Sequence, residues 1–380
     1  MKVSRKIGIA VVVVLYAAYF FGVARPVPPE SVLVPRWLSS LESGESTFFG
    51  EKPQDLSEAG PFLPFDLGSR FGYVDSHGNF SVNQIKKANV SLSADRWAEY
   101  DAEPDRIEIF GSSGDPLTVV ENPRGYPFFL DGRNFLIGNE QNTVTEIDDS
   151  GAVIWTYEFS SVLTCVDAAA GLLLAGLVDG YIEVLDSEGK QVFLFAPGGS
   201  GYAIILGCAI SGDGSRIGLI SGIEPQRFIM LERYGTGITS LGGTIPLGIS
   251  AGNAGYRVIH HEFLDNGYRR PVHIGFVEND RWIIYEREEG LGLYRIGSKQ
   301  GGVAEFEGEI CAIDNTGGQG VVFVIVAHSG NEKELIGINL PGRVALKAPF
   351  KSWEVFLKRT DSGLFVGGAQ NLFSFTLEKR

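Results

Sequence analysis

The chemistry open to this chain rests on five histidines, three cysteines, a set of recurring aspartates and one Tyr-Arg-Arg run. The histidines are His77, His260, His261, His273 and His328. No two flank a glutamate at the i,i+4 spacing of a zinc-binding helix. His260 and His261 are adjacent in a stretch that reads as a strand, so their rings point to opposite faces and do not share a metal ion. Cys165, Cys208 and Cys311 fit no Cys-x-x-Cys pattern. Each lies in an apolar run at the same place in a repeat, where cysteine acts as a small buried hydrophobe. The alternative is a Cys165–Cys208 bridge between neighbouring repeats. No Gly-x-Ser-x-Gly elbow is present for a serine hydrolase. Gly235-Thr236-Gly237 and Gly242-Gly243 open no helix that would cradle a phosphate. Asp75, Asp148 and Asp186 recur as catalytic carboxylates do, but their fixed place before a glycine makes them turn formers. No catalytic, cofactor-binding or metal-binding residue is therefore assigned, and no cofactor is expected. Tyr268, Arg269 and Arg270 are the candidates for contact with a partner, because Arg and Tyr are favoured in protein interfaces. The bland alternative is a solvated loop tip.

The elements that would position these residues repeat. A strand, an acidic residue or its substitute, two residues, a glycine and a second strand recur at Asp75-Ser76-His77-Gly78 and at Gly111-Ser112-Ser113-Gly114. They recur again at Asp148-Asp149-Ser150-Gly151 and Asp186-Ser187-Glu188-Gly189. The turn glycines Gly78, Gly114, Gly151 and Gly189 are 36, 37 and 38 residues apart. Asp bonds the backbone two residues on, and Gly supplies the positive φ of a tight hairpin. Before each such hairpin lies a run that is apolar throughout, as at residues 135–137, 172–177, 217–220, 282–285, 321–326 and 364–366. A strand with one wet face alternates. A continuous run means cover on both faces, as in the middle strands of a blade flanked by two other blades.

A period near 40 built only of strands predicts an all-β fold, a β-propeller of about seven blades, with six or eight as alternatives. The strands group near residues 88–122, 124–160, 162–200, 202–245, 270–305 and 307–350. The last stretch, 352–380, holds three strands, around Val355, Phe365 and Phe373, and needs a fourth. The early strands at 71–75 and 79–85 are expected to complete it and close the ring, which removes the open sheet edges that invite aggregation. Residues 243–269 break the period, as an extra strand pair or a long loop.

The phrase Asp148-Asp149-Ser150-Gly151-Ala152-Val153-Ile154-Trp155 resembles the repeat of PQQ-like and WD40-like bacterial propellers, and Asp186, Gly189 and Phe193 repeat it with Phe in the aromatic place. In that family the aromatic residue packs between blades. The resemblance implies the fold over residues 70–380. Anchored or periplasmic members include the propeller component of the outer-membrane protein assembly machinery, which is a scaffold and not an enzyme.

Lys2, Arg5 and Lys6 precede an uncharged run of 17 residues from Ile7 to Val23. That length suits a single membrane-spanning helix, with the basic end in the cytoplasm and the rest exported. Residues 1–24 are thus expected to be a signal-anchor. The alternative is a signal peptide cleaved near Ala24. Residues 25–69 carry Pro26, Pro28, Pro29, Pro35, Pro53, Pro61 and Pro64 and read as an extended stalk. The formal net charge of −14 excludes a nucleic-acid partner, which needs clustered Lys and Arg. The expected protein is a membrane-anchored, exported propeller that binds a protein partner as a scaffold. The alternative is a propeller enzyme, quinone-dependent or hydrolytic.

Overall fold

The structure, a computed structural model, describes residues 31–49, 61–234, 255–298, 300–361 and 363–379. A compact unit spans Val34–Thr376. The other unit is Met1–Leu33 with Leu377–Arg380, whose described residues are strand ends. The expected anchor at residues 1–24 lies outside the described residues. Among the described residues, no helix is long and apolar enough to cross a membrane.

The strands form eight antiparallel sheets in chain order, so the propeller has eight blades rather than seven. The count rises because residues 71–85 do not complete the last blade. The strands Arg70–Val74 and Phe80–Ile85 join Leu63–Asp66 in a three-stranded sheet of their own, blade 1. Blades 2 to 7 have four strands each and begin at Asn89, Tyr126, Leu163, Tyr202, Ile274 and Glu309. Blade 8 runs Val355–Thr360, Gly363–Gly368 and Asn371–Lys379. Its fourth strand is Ser31–Ser40, with Ser46–Phe48 added outside as a fifth.

The closing strand therefore comes from the stretch whose prolines suggested a stalk. Composition misled because Trp37, Ser39 and Leu41 alternate inward and are all buried, the pattern of a half-buried strand. Pro64 is tolerated because it faces Tyr73 at a position whose N–H would point away from the neighbouring strand.

The cores lie between blades. Phe135, Trp155 and Leu173 pack between blades 3 and 4, and Leu174, Ile182, Ile205 and Ile217 between blades 4 and 5. Trp37, Phe65 and Phe365 pack between blades 8 and 1. The strand Val321–Ala327 is buried along nearly its whole length, as cover on both faces requires.

In an antiparallel meander the turns alternate between the two ends. First-to-second and third-to-fourth turns emerge on one face, here the turn face. Second-to-third turns and the connections to the next blade emerge on the other, the loop face. The repeated phrase sits on the turn face. Asp75 Oδ1 accepts the N–H groups of His77 and Asn79, both at 2.8 Å. Asp148 does the same for Ser150 and Ala152 at 2.8 and 2.9 Å, and Asp186 for Glu188 and Lys190 at 3.0 and 2.9 Å. Two of these turns also take a donor from the preceding blade. Trp155 Nε1 donates to Ser187 O at 3.2 Å, and Trp37 Nε1 to Ser76 O at 2.8 Å. Trp37 thus marks Ser31–Ser40 as a fourth strand and Arg70–Val74 as a third.

The irregular segment resolves into parts. Gly255–Leu264 is the fourth strand of blade 5, and residues 235–254 lie outside the described residues. His260 stacks on Tyr294 at 4.4 Å, while His261 meets Phe263 edge-on at 6.2 Å. All three cysteines are free and lie on first strands, of blades 4, 5 and 7. Cys208 is buried and Cys165 half-buried, but Cys311 is exposed and is not a core residue. Its strand is incompletely covered, with Glu309 and Cys311 exposed, Ile310 buried, and Ala312 and Ile313 half-buried.

Candidate functional site

Tyr268, Arg269 and Arg270 lie on the loop face, in the connection between blades 5 and 6. The two arginines have different environments. Arg270 reaches the carboxylate of Glu286, whose side chain is 1% exposed, through two hydrogen bonds of 2.6 and 3.1 Å. Its guanidinium also lies 4.6 Å above the Tyr268 ring and 3.5 Å from Glu309. The Glu286 carboxylate holds the Arg270 pKa above its ordinary value. Burial, then the Glu286 charge, push the Tyr268 hydroxyl up to about 12. Arg270 is thus a structural cation that neutralises a buried acid. Arg269 is exposed and, among the described residues, pairs with the exposed Glu224, at 3.0 Å. Of the run, Arg269 alone is exposed, while Tyr268 and Arg270 are half-buried.

Beside Arg269 the loop face carries exposed apolar side chains. Val162, Val178, Tyr181 and Tyr202 stand at the upper ends of blades 4 and 5, and Tyr202 is 62% exposed. Their loops touch one another in sequence. Val178 N donates to Val162 O at 2.9 Å. A Cβ on Gly180 would lie 2.7 Å from that of Ala203, so glycine lets these two backbones meet. Gly201 N donates to Glu224 O at 2.9 Å, and Ser200 Oγ to Pro225 O at 2.7 Å. Glu224 then reaches Arg269. The result is a continuous run from the connection between blades 3 and 4 to that between blades 5 and 6. Arg227, over the exposed Phe263 ring at 5.9 Å, flanks it.

A second apolar feature opens on the same face between blades 7 and 8. A groove of about 470 Å³ is lined by Pro349, Phe350, Trp353, Phe373 and Phe375 among others. Trp353, in the connection between these blades, is 74% exposed. An indole held in solvent is unusual for a side chain whose burial is so favourable.

Sequence reasoning found the arginines but missed Glu286, Tyr181, Tyr202 and Trp353. Tyr181 follows a turn glycine and Trp353 a strand end, so the available signal was an aromatic residue in a connection where a polar one suffices. Among the described residues, no group of three or more His, Cys, Asp or Glu side chains is placed to hold a metal.

A family model for beta-propeller proteins matches residues 1–240 and 245–379, nearly the whole chain. The chain belongs to the beta-propeller protein family. This beta-propeller protein is 25% identical over 300 residues to an uncharacterized protein of Treponema pallidum (strain Nichols), covering 77% of this chain and 74% of that one. Its fold is similar to that of BamB from Moraxella catarrhalis, with a TM-score of 0.56 and 12% identity over 91% of this chain and all of that one. It is equally similar to the computationally designed Ika8 protein, with a TM-score of 0.57 and 12% identity, covering 84% and 98% of the two chains. These likenesses extend the PQQ-like and WD40-like resemblance of the turn phrase to the fold.

Proposed function

We propose that this beta-propeller protein is a docking platform whose loop face binds a protein partner without turnover chemistry. The observation that carries the reading is the continuous exposed run from Val162, Val178, Tyr181 and Tyr202 to the Arg269–Glu224 pair. Clustered exposed apolar side chains mark interaction sites, and Tyr and Arg dominate interface hot spots. The basic start and the apolar run from Ile7 to Val23 support tethering at the outer face of a cytoplasmic membrane.

The test is affinity capture with full-length protein from detergent-solubilised native membranes. Tyr181→Ser with Tyr202→Ser should lose the captured partner and leave the melting temperature unchanged. Equal capture by the variant overturns the placement of the surface. A quinone or a stoichiometric metal copurifying with the wild type overturns the non-catalytic reading. A mature N-terminus at Arg25 overturns the tether.

A further inference from the structure

The seam between blades 4 and 5 holds two thiols that the docking reading does not use. Cys165 and Cys208 lie on the first strands of these blades, Leu163–Ala169 and Tyr202–Ile210. First strands stand nearest the ring axis, where neighbouring blades come closest. Ile210 N donates to Asp167 Oδ2 at 2.8 Å across the seam. Asp167 and Ile210 each stand two positions past a cysteine, and residues two apart share a face of their strand. Cys165 is therefore level with Cys208 and points, like Asp167, toward blade 5.

Gly176, on the second strand of blade 4, pairs directly with Cys165. A Cβ there would lie 2.5 Å from Cys165 Sγ and 2.7 Å from Ile205 Cγ2 of blade 5. Glycine thus leaves the room that the sulfur fills. The Gly176 N–H faces Cys208 Sγ, and the two thiols hydrogen-bond to each other. Both side chains pack in one apolar cluster with Leu174, Ile205 and Leu219. Cys311 shares their place in the repeat, but neither blade beside it carries a cysteine. Its Sγ donates to Glu309 O at 3.6 Å instead.

The two environments set an order of reaction. Cys165 is half-buried, so a small reagent reaches it first, while Cys208 is buried. The hydrogen bond with Cys165, then burial, push the Cys208 thiol pKa up. A buried thiol of raised pKa is a poor first nucleophile.

Both thiols are free in the structure, which is thus the reduced form. We propose that Cys165 and Cys208 are a redox pair that closes to a disulfide across the seam between blades 4 and 5 in the presence of a small-molecule disulfide, and reopens in excess thiol. The Cys165 thiolate attacks one sulfur of the small disulfide. A mixed disulfide forms on Cys165, and the first small thiolate leaves and takes up a proton. Cys208 then loses its proton and attacks Cys165 Sγ. The bond between the cysteines forms, and the second small thiolate leaves and is protonated. Two protein thiols are oxidised and one small disulfide is reduced to two thiols, with no further reactant. The bond would tie the start of blade 4 to the start of blade 5, so that neither opens without the other.

The experiment incubates purified full-length protein, folded, in glutathione buffers from fully reduced to fully oxidised. Samples are acid-quenched, denatured, alkylated and mapped by peptide mass spectrometry. Cys165 and Cys208 should lose alkylation together and appear as one cross-linked peptide pair, and excess reduced glutathione should restore both. The bonded form should melt roughly 5 °C higher, as a cross-link that restricts the unfolded chain does. Cys208→Ala should trap glutathione on Cys165. Should that variant not fold, Cys165→Ser carries the test, and its Cys208 should stay free of glutathione. Full alkylation of both residues at the oxidised end overturns the pair. So does a stable glutathione adduct on wild-type Cys165 with Cys208 still reduced, or a bonded form that melts below the reduced one.

Discussion

On the turn face, Asp75, Asp148 and Asp186 make the same pair of backbone hydrogen bonds and are followed by Gly78, Gly151 and Gly189 at φ of 84°, 84° and 75°. On the loop face no such phrase recurs. The connection between blades 5 and 6 holds a buried Arg–Glu pair, that between blades 7 and 8 an exposed indole, and those around blade 4 exposed valine and tyrosine side chains. At the junctions of blades 8 and 1 and of blades 3 and 4, the repeated face joins the blades through the same indole-to-carbonyl contact. The unrepeated face carries, besides one buried ion pair, apolar side chains left exposed to solvent.

The largest effect should come from the turn face where the chain closes on itself. Trp37 is 2% exposed, bonds to the Ser76 carbonyl and meets Phe365 edge-on at 5.8 Å. Trp37→Ala should cost about 4 kcal/mol, the usual penalty for emptying a buried indole site. Urea denaturation measures it. A loss below about 1 kcal/mol would show that closure does not rest on this contact.

The next effect separates the two arginines of the loop face. Arg270→Ala leaves the buried Glu286 carboxylate unpaired and should cost about 2 kcal/mol, at the low end for broken buried pairs because Arg270 is partly exposed. Adding Glu286→Gln should recover part of that loss. Arg269→Ala, which frees one exposed carboxylate, should stay within about 0.5 kcal/mol. Equal melting temperatures for the two single variants would break the distinction drawn between them.

What the sequence made legible follows the same division. The turn phrase is local chemistry: an aspartate, a glycine and four residues contain their own explanation, so the strand repeat and its period could be read directly. Ring closure is not local. Whether Ser31–Ser40 or Phe80–Ile85 pairs with the last blade depends on contacts some 300 residues apart, and the prolines hid the alternation of Trp37, Ser39 and Leu41. The candidate site shows the same limit. Arg269 and Arg270 stand out as a pair, but only the fold brings Glu286 to one and leaves the other at the surface. Continuity from Val162 to Tyr202 likewise exists only once adjacent blades are in place.

The smallest effect returns to the turn face. Asp213, in the first turn of blade 5, accepts the Ser211 hydroxyl at 2.6 Å and the Ser215 N–H at 2.9 Å. These bonds favour the anion, and the pKa falls from 3.8 to about 2, with the Ser211 bond the largest cause. The folded value lies below the unfolded one. The contribution of this turn is therefore complete above pH ~4 and is lost as pH falls through about 2. Carbon-detected NMR titration of the carboxyl should show a midpoint near that value. Ser211→Ala should move it back toward 3.8. The exposed side chain makes the effect on stability small, so the titration itself is the readout. A wild-type midpoint at 3.8 or above would mean that the turn bonds seen at Asp213 do not hold its anion, and would weaken the same account of Asp148, whose carboxyl the Ser150 and Ala152 bonds hold below its ordinary value.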